Sequence, residues 1–232
     1  MTGDADRGYH PLLTGNLRAS ARDHKADQFM SDKQTTQIGP WQRLSSAEVY
    51  DNPWISVRHE QVITPGGSDG IYGVIHFKSC AVGIIPIDAE GYTWLVRQFR
   101  YPLNQHLWEI PMGGAPIPED PLVTAHRELE EEVGLRAQSM QEIMRLFISK
   151  SSTDEAGVVY IASDLSPGEA RLEDTEADLE ILRLPFLEAV QWVMEGKITD
   201  VISCAGLLKA AVLLSGDQFR ADELGVDQSG AV

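Results

Sequence analysis

The chain reads as an α/β (α+β) sandwich, with helices packed around a mixed sheet and antiparallel strands ahead of it. Three observations predict this. Short β-type runs recur through the first half. One amphipathic helix with its own start and stop signals sits in the middle. Two more helices close the chain, and no internal repeat is present.

Residues 1–38 are polar and aperiodic and are expected to be disordered or extended. Met30-Ser31-Asp32-Lys33 would serve as an ordinary N-terminus, so the first 29 residues are expected to be an upstream extension. A folded domain is expected over 39–216, opening with N-terminal strands over 39–78. Trp54–Arg58 and Gln61–Ile63 read as strand. Pro65–Gly70 is a turn cluster, and Ile71–Phe77 returns as the second arm of a hairpin. Ala81–Ile87 and Tyr92–Phe99 are expected to form a second hairpin around Asp88-Ala89-Glu90-Gly91. Next comes a glycine-rich loop at Gly113-Gly114, then a helix. Asp120 is its expected N-cap, Pro121 its first residue and Gly134 its stop. Leu122, Val123, Ala125, Leu129 and Val133 form its apolar stripe. Ile143–Ile148, Gly157–Ala162 and Leu179–Leu184 read as strands. Pro185–Glu195 and Asp200–Leu214 read as helices, with Gly196 stopping the first. The tail over 217–232 is acidic and expected to fray.

Composition narrows the partners. The formal net charge is −16 in 232 residues, with pI near 4.7. Such a chain repels nucleic acid and anionic membranes, and it needs a cation between itself and any anionic substrate. Hydrophobic content of 43% suffices for a core. No stretch reaches the ~18 apolar residues of a membrane span. The N-terminus lacks the apolar region of a secretory signal. Cys80 and Cys204 lie apart in apolar runs and read as buried free thiols, so the expected location is the cytoplasm.

The segment from Gly113 to Leu135 carries the chemistry. Glu128 and Glu132 are four residues apart and share a helix face, with Glu131 beside them. Arg127 and Glu131 are also four apart, so the arginine can orient that carboxylate. Packed carboxylates repel unless a hard cation such as Mg²⁺ or Mn²⁺ sits among them. Such cations favour phosphoanhydride hydrolysis, because they neutralise phosphate charge and activate water. Glu130 points off this face and reads as a solvated surface residue.

The same residues resemble the Nudix box, G-x5-E-x7-R-E-U-x-E-E-x-G-U with U a bulky aliphatic. Gly113, Glu119, Arg127, Glu128, Leu129, Glu131, Glu132, Gly134 and Leu135 fill every defined position over 23 residues. Trp108–Gly114 resembles the entry motif of the ADP-ribose and nucleoside-diphosphate-sugar pyrophosphatase branch. Val96–Arg100 resembles that branch's V-R-Q-(Y/F)-R strand, and Glu195–Asp200 its late helix-turn-helix. The resemblance spans roughly residues 41–215 and implies the Nudix α/β/α sandwich.

It also implies roles. Glu128 and Glu132 become the principal ligands of a Mg²⁺ ion, for which Mn²⁺ can substitute. Glu131 becomes a further ligand and the Met112 carbonyl another. Glu119 and Arg127 orient the helix. Gly113 and Gly114 let the main chain approach metal and phosphate. The general base of that branch lies on a loop after the box, where Glu173 and Glu176 are the candidates. Arg97, Arg100 and Glu109 are candidate substrate contacts. Arg58 is another, reaching across a homodimer. Trp54, Tyr72, Phe99 and Trp108 are candidates for stacking a base, with packing in the core as the favoured reading, and His76, His106 and His126 read as structural. The branch's P-S-P-G-F-(S/T)-(D/N)-E loop is replaced by Ile148–Glu155, where only Thr153-Asp154-Glu155 survives. That shifts the expectation from strict ADP-ribose specificity to a broader nucleoside-diphosphate-sugar hydrolase. The alternatives are another nucleoside diphosphate derivative (a dinucleoside polyphosphate, NADH or an oxidised nucleotide) and a non-catalytic nucleotide-sugar sensor.

Overall fold

The computed structural model describes residues 35–172 and 174–216. The segment before Thr35 (Met30 included), Glu173 and the tail from residue 217 lie outside the described residues. The first sheet has the order β1-β2-β3-β4, formed by Thr36–Ile38, Trp41–Asp51, Ile55–Ile63 and Asp69–Phe77, all antiparallel. Pro65–Gly70 makes the expected turn before and into β4, with Gly67 at φ 87°. Thr36–Ile38 is already paired with β2, three residues ahead of the expected domain start at 39.

The second sheet is mixed. β5 (Ser79–Pro86) is its hub, antiparallel to β8 (Met112–Pro116) and parallel to β10 (Ala156–Pro167). β9 (Leu135–Phe147) closes it against β10. A third, antiparallel sheet has the order β11-β6-β7, from Glu180–Pro185, Tyr92–Arg100 and Gln105–Glu109.

The hairpin expected between Ala81–Ile87 and Tyr92–Phe99 is therefore a correction. The turn exists, with Gly91 N–H donating to Asp88 O at 3.0 Å. Beyond a single bridge, Ile87 to Thr93, the arms separate into different sheets. Both edges of β5 are taken by β8 and β10, which leaves none for β6. The expected glycine-rich loop is also corrected, since Gly113 and Gly114 lie inside β8.

The helices follow their sequence signals. α1 (Pro121–Val133) is capped by Asp120, whose Oδ1 accepts the Leu122 N–H at 3.0 Å, and stops at Gly134 with φ 69°. Its N-terminal stripe is not a core face: Val123 is 56% exposed, while Thr124 and Glu132 are buried beside Ala125 and Leu129. α2 (Phe186–Met194) and α3 (Val201–Leu214) end the described chain. The side-chain alternation of the mixed sheet divides the core. Val82, Ile84, Val158 and Tyr160 pack with Ala125 and Leu129 of α1. Ile85 and Val159 pack with Leu95, Phe186, Ile202 and Leu207 on the opposite face. Among the described residues, no helix is long and apolar enough to cross a membrane.

Candidate active site

The site forms where α1 crosses the strand β8. Arg127 is the hub of the first turn and a half. Its Nη1 lies 3.1 Å from Glu119 Oε1, its Nη2 3.0 Å from Glu128 Oε1, and its Nε 3.6 Å from Glu131 Oε2. Thr124 Oγ1 also donates to Glu119 at 2.5 Å. That bond and the arginine hold the Glu119 carboxyl below its ordinary range. One turn on, Glu132 is 3% exposed, and its Oε2 accepts the Met112 N–H at 3.0 Å. Gly113 makes room for the cluster: a Cβ there would stand 2.1 Å from Glu128 Cδ.

The charges are poised against one another. Burial pushes the Glu132 carboxyl up to about 9, and the charges of Glu176 and Glu128 add to the rise. Glu128 is raised too, by burial first, with Arg127 opposing and Glu131 and Glu176 adding. Glu176, in the turn Asp174–Glu176 well beyond α1 in sequence, lines a hollow with Glu128 and Glu131. Among the described residues, no three His, Cys, Asp or Glu side chains close on one point as metal ligands. Arg127 and the Met112 N–H hold the carboxylates instead. The donor set nonetheless fits a hard divalent cation. It offers oxygen atoms only, one carboxylate is buried at a cost in charge, and Glu128, lying directly over Gly113, lines a hollow of the site.

The cluster opens into a cavity. Arg127, Glu128 and Glu131 line a hollow of about 550 Å³. Through Gly113, Gly114 and Glu176 it adjoins a larger one of about 840 Å³. Trp54, Phe99, Arg100 and His106 line the larger space. Trp54 is 70% exposed, and Trp54 and Phe99 are cavity residues, which departs from the favoured core reading and agrees with the stacking alternative. Trp108 is core, packed edge-on to Trp192 at 5.6 Å. Tyr72 is half-buried, edge-on to Trp41 at 5.5 Å. His106 also belongs to the cavity, 3.3 Å from Asp178 Oδ2. Tyr101 lines it as well and was missed. Its position directly after the Val96–Arg100 strand was the available signal.

The candidate substrate contacts separate. Arg100 lines the cavity, and its Nε lies 2.8 Å from Oε1 of Glu109, with Nη2 bonded to Oε2. Glu109 is itself buried, 3% exposed, behind that arginine. Arg97 is turned to Glu180 at 2.7 Å and to the Trp108 ring at 6.0 Å, away from the cavity lining. Arg58 stands beside Glu60 at 3.7 Å in a separate hollow with Trp41 and Tyr72 on the first sheet. Met112, Arg127, Glu128, Glu131, Glu132, Glu176 and Arg100 are thus assembled in one place, whereas Arg58 and Arg97 are not. The Ile148–Glu155 loop docks on β4 through Asp154, which bonds the His76 ring and accepts the Phe77 N–H at 2.9 Å. Its last residue, Glu155, lines the cavity.

A family model described as the NUDIX domain matches residues 78–199. The chain belongs to the Nudix family. A second model, the nucleoside diphosphate sugar hydrolase N-terminal domain, matches residues 41–75, which run from β2 into β4. The ADP-ribose pyrophosphatase of Mycobacterium tuberculosis is 34% identical over 179 residues, 76% of this chain and 86% of that protein. The methanol dehydrogenase activator of Bacillus methanolicus is 31% identical over 159 residues, 68% of this chain and 85% of that one. The crystal structure of an ADP compounds hydrolase shares the fold, with a TM-score of 0.69 at 20% identity over 78% of this chain and 97% of its own. The expected Nudix sandwich is therefore the fold, and the chain is a Nudix hydrolase. Hydrolases of this family generally use divalent metal ions.

Proposed function

We propose that this Nudix hydrolase is a Mg²⁺-dependent pyrophosphohydrolase of nucleoside-diphosphate sugars, with ADP-ribose among its substrates and Mn²⁺ able to replace Mg²⁺. One observation carries the reading: Glu128 and Glu131, with Glu132 buried one turn on, line a hollow shared with Glu176, which adjoins a larger one that presents Arg100. The family of the N-terminal strands and the ADP-ribose pyrophosphatase relative support the substrate class. The altered Ile148–Glu155 loop favours a broad range over ADP-ribose alone.

Glu128, Glu131, Glu132 and the Met112 carbonyl would hold the cation. When bound, it neutralises phosphate charge and makes a nearby water more acidic. Arg127 keeps the carboxylates in position, and Arg100 offers its remaining N–H groups to the diphosphate. Glu176 takes a proton from the attacking water, with Glu173 the other candidate for that task. The new P–O bond forms as the bond from that phosphorus to the bridging oxygen breaks. The bridging oxygen leaves on the other phosphate, giving a nucleoside monophosphate and a sugar phosphate.

The same reading makes the enzyme a homodimer through the first sheet, with Arg58 serving the partner's cavity. It also puts the enzyme in the cytoplasm, in keeping with two half-buried free thiols. The test is monophosphate release from ADP-ribose, ADP-glucose, GDP-mannose and UDP-glucose in millimolar Mg²⁺, beside an EDTA control. Metal-dependent cleavage of several is expected. Cleavage of none of the four by folded protein overturns the proposal.

A further inference from the structure

Glu130 occupies the one box position that lies between the ligand glutamates and takes any residue. The sequence pattern reads it as solvated. In the structure its Oε1 accepts from Arg136 Nε at 2.9 Å and from Arg136 Nη2 at 2.5 Å. The same oxygen accepts the main-chain N–H of Glu169 at 3.4 Å. Two further bonds lie alongside: Gly168 N–H donates to Gly134 O at 2.8 Å, and Arg171 N–H to Glu131 O at 2.9 Å. Gly168 lies directly on the pair, for a Cβ there would be 3.1 Å from Glu130 Cγ and 3.2 Å from Arg136 Cγ.

An ordinary surface ion pair needs neither a shared main-chain donor nor a bare glycine against it, and contributes little. This one is the side-chain part of a clamp that holds Gly168–Arg171 along the C-terminal end of α1. Glu176 follows five residues after Arg171. At its far side the Leu179 N–H donates to Glu176 O at 2.9 Å, just before β11. The strand β10 ends at Pro167, so among the described residues it is the clamp that sets where this segment leaves the helix.

We propose that Glu130 is a positioning residue for hydrolysis. Aimed by Arg136, it fixes Gly168–Arg171 against α1 and so sets where Glu176 stands relative to Glu128 and Glu132. The same helix then gathers metal on one face and aims the proton acceptor from the other. This rests on the reading that Glu176 takes the proton in the proposed reaction.

The test compares Glu130→Ala, Glu130→Gln, Arg136→Gln and Glu176→Gln, using ADP-ribose and Mg²⁺ titrations beside amide hydrogen exchange. Glu130→Ala is expected to lower kcat about tenfold, because a displaced base reacts poorly, while KM and the Mg²⁺ midpoint change less than about twofold. The Glu169 and Arg171 amides exchange faster, and α1 amides do not. Glu130→Gln rescues most of the loss, since its amide oxygen accepts the same bonds, and Arg136→Gln follows Glu130→Ala. Full kcat in Glu130→Ala beside an inactive Glu176→Gln overturns the clamp alone. So does a fall in Tm without faster exchange at Glu169 and Arg171. Wild-type kcat in Glu176→Gln overturns the base reading, and this proposal with it.

Discussion

Glu132 Oε2 accepts the Met112 N–H at 3.0 Å, which ties the last turn of α1 to the first residue of β8. The carboxylate is thereby drawn into the interior beside two other acids. In the proposed reading that position serves a bound cation, and burial opposes the charge otherwise.

Glu132→Gln keeps the acceptor for Met112 and removes the charge. Turnover in Mg²⁺ is expected to fall by about three orders of magnitude, as loss of a metal-organising charge implies. The EDTA-treated variant should melt no lower than the wild type. Parallel kinetics and calorimetry check both, and near-normal turnover would remove Glu132 from the ligand set.

Glu132 also sets a pH dependence. Its proton is held in the fold up to about 9, against 4.5 for the ordinary carboxyl. Between those values the folded metal-free chain binds the extra proton, so this contribution is complete at low pH and is lost as pH rises through the window. In EDTA, the Tm of the wild type minus that of Glu132→Gln should fall between about pH 6 and about pH 8.5. Saturating Mg²⁺ replaces the proton and should flatten the difference. A difference that rises with pH in EDTA would contradict the assignment.

Gly113→Ala sets its Cβ against the end of Glu128 rather than against main chain. The side chain yields and the fold remains. Activity is expected to drop by about a hundredfold, the scale of a misplaced catalytic group. The Tm should change little, and a large loss of stability would mean that β8 itself had moved.

Arg100→Ala leaves Glu109 buried without its partner. A loss of about 3 kcal/mol is expected by chemical denaturation. Adding Glu109→Gln should recover most of it, because the uncompensated charge is then gone. An additive double variant would show that the pair is not coupled.

The helix α1 was legible because its information is local. Asp120, Pro121 and Gly134 act on main-chain groups within a turn, and a four-residue spacing places Glu128 and Glu132 on one face whatever surrounds them. The ends of α2 and α3 were legible for the same reason, Gly196 and Asp200 being local stops and caps. The sandwich with a mixed sheet followed from the strand runs and the resemblance.

Other relationships needed the folded chain. β5 and β6 are joined by a good turn yet part, because strand edges are contested by β8 and β10 from elsewhere in the sequence. Trp54, just ahead of β3, and Phe99, on β6, line a cavity, although neither position carries a mark in the sequence of which side will be filled. Arg97 turns to Glu180 and Arg58 to Glu60, and spacing alone cannot choose an arginine's partner among many acids. Glu130 meets Glu169 across 39 residues, and Glu176 shares a hollow with Glu128 and Glu131 across a comparable span. Capping and periodicity act within about four residues and survive any tertiary setting. Edge pairing, cavity walls and the aim of the Glu176 segment are settled by competition among distant groups for burial and hydrogen bonds, which exists only once the layers have packed.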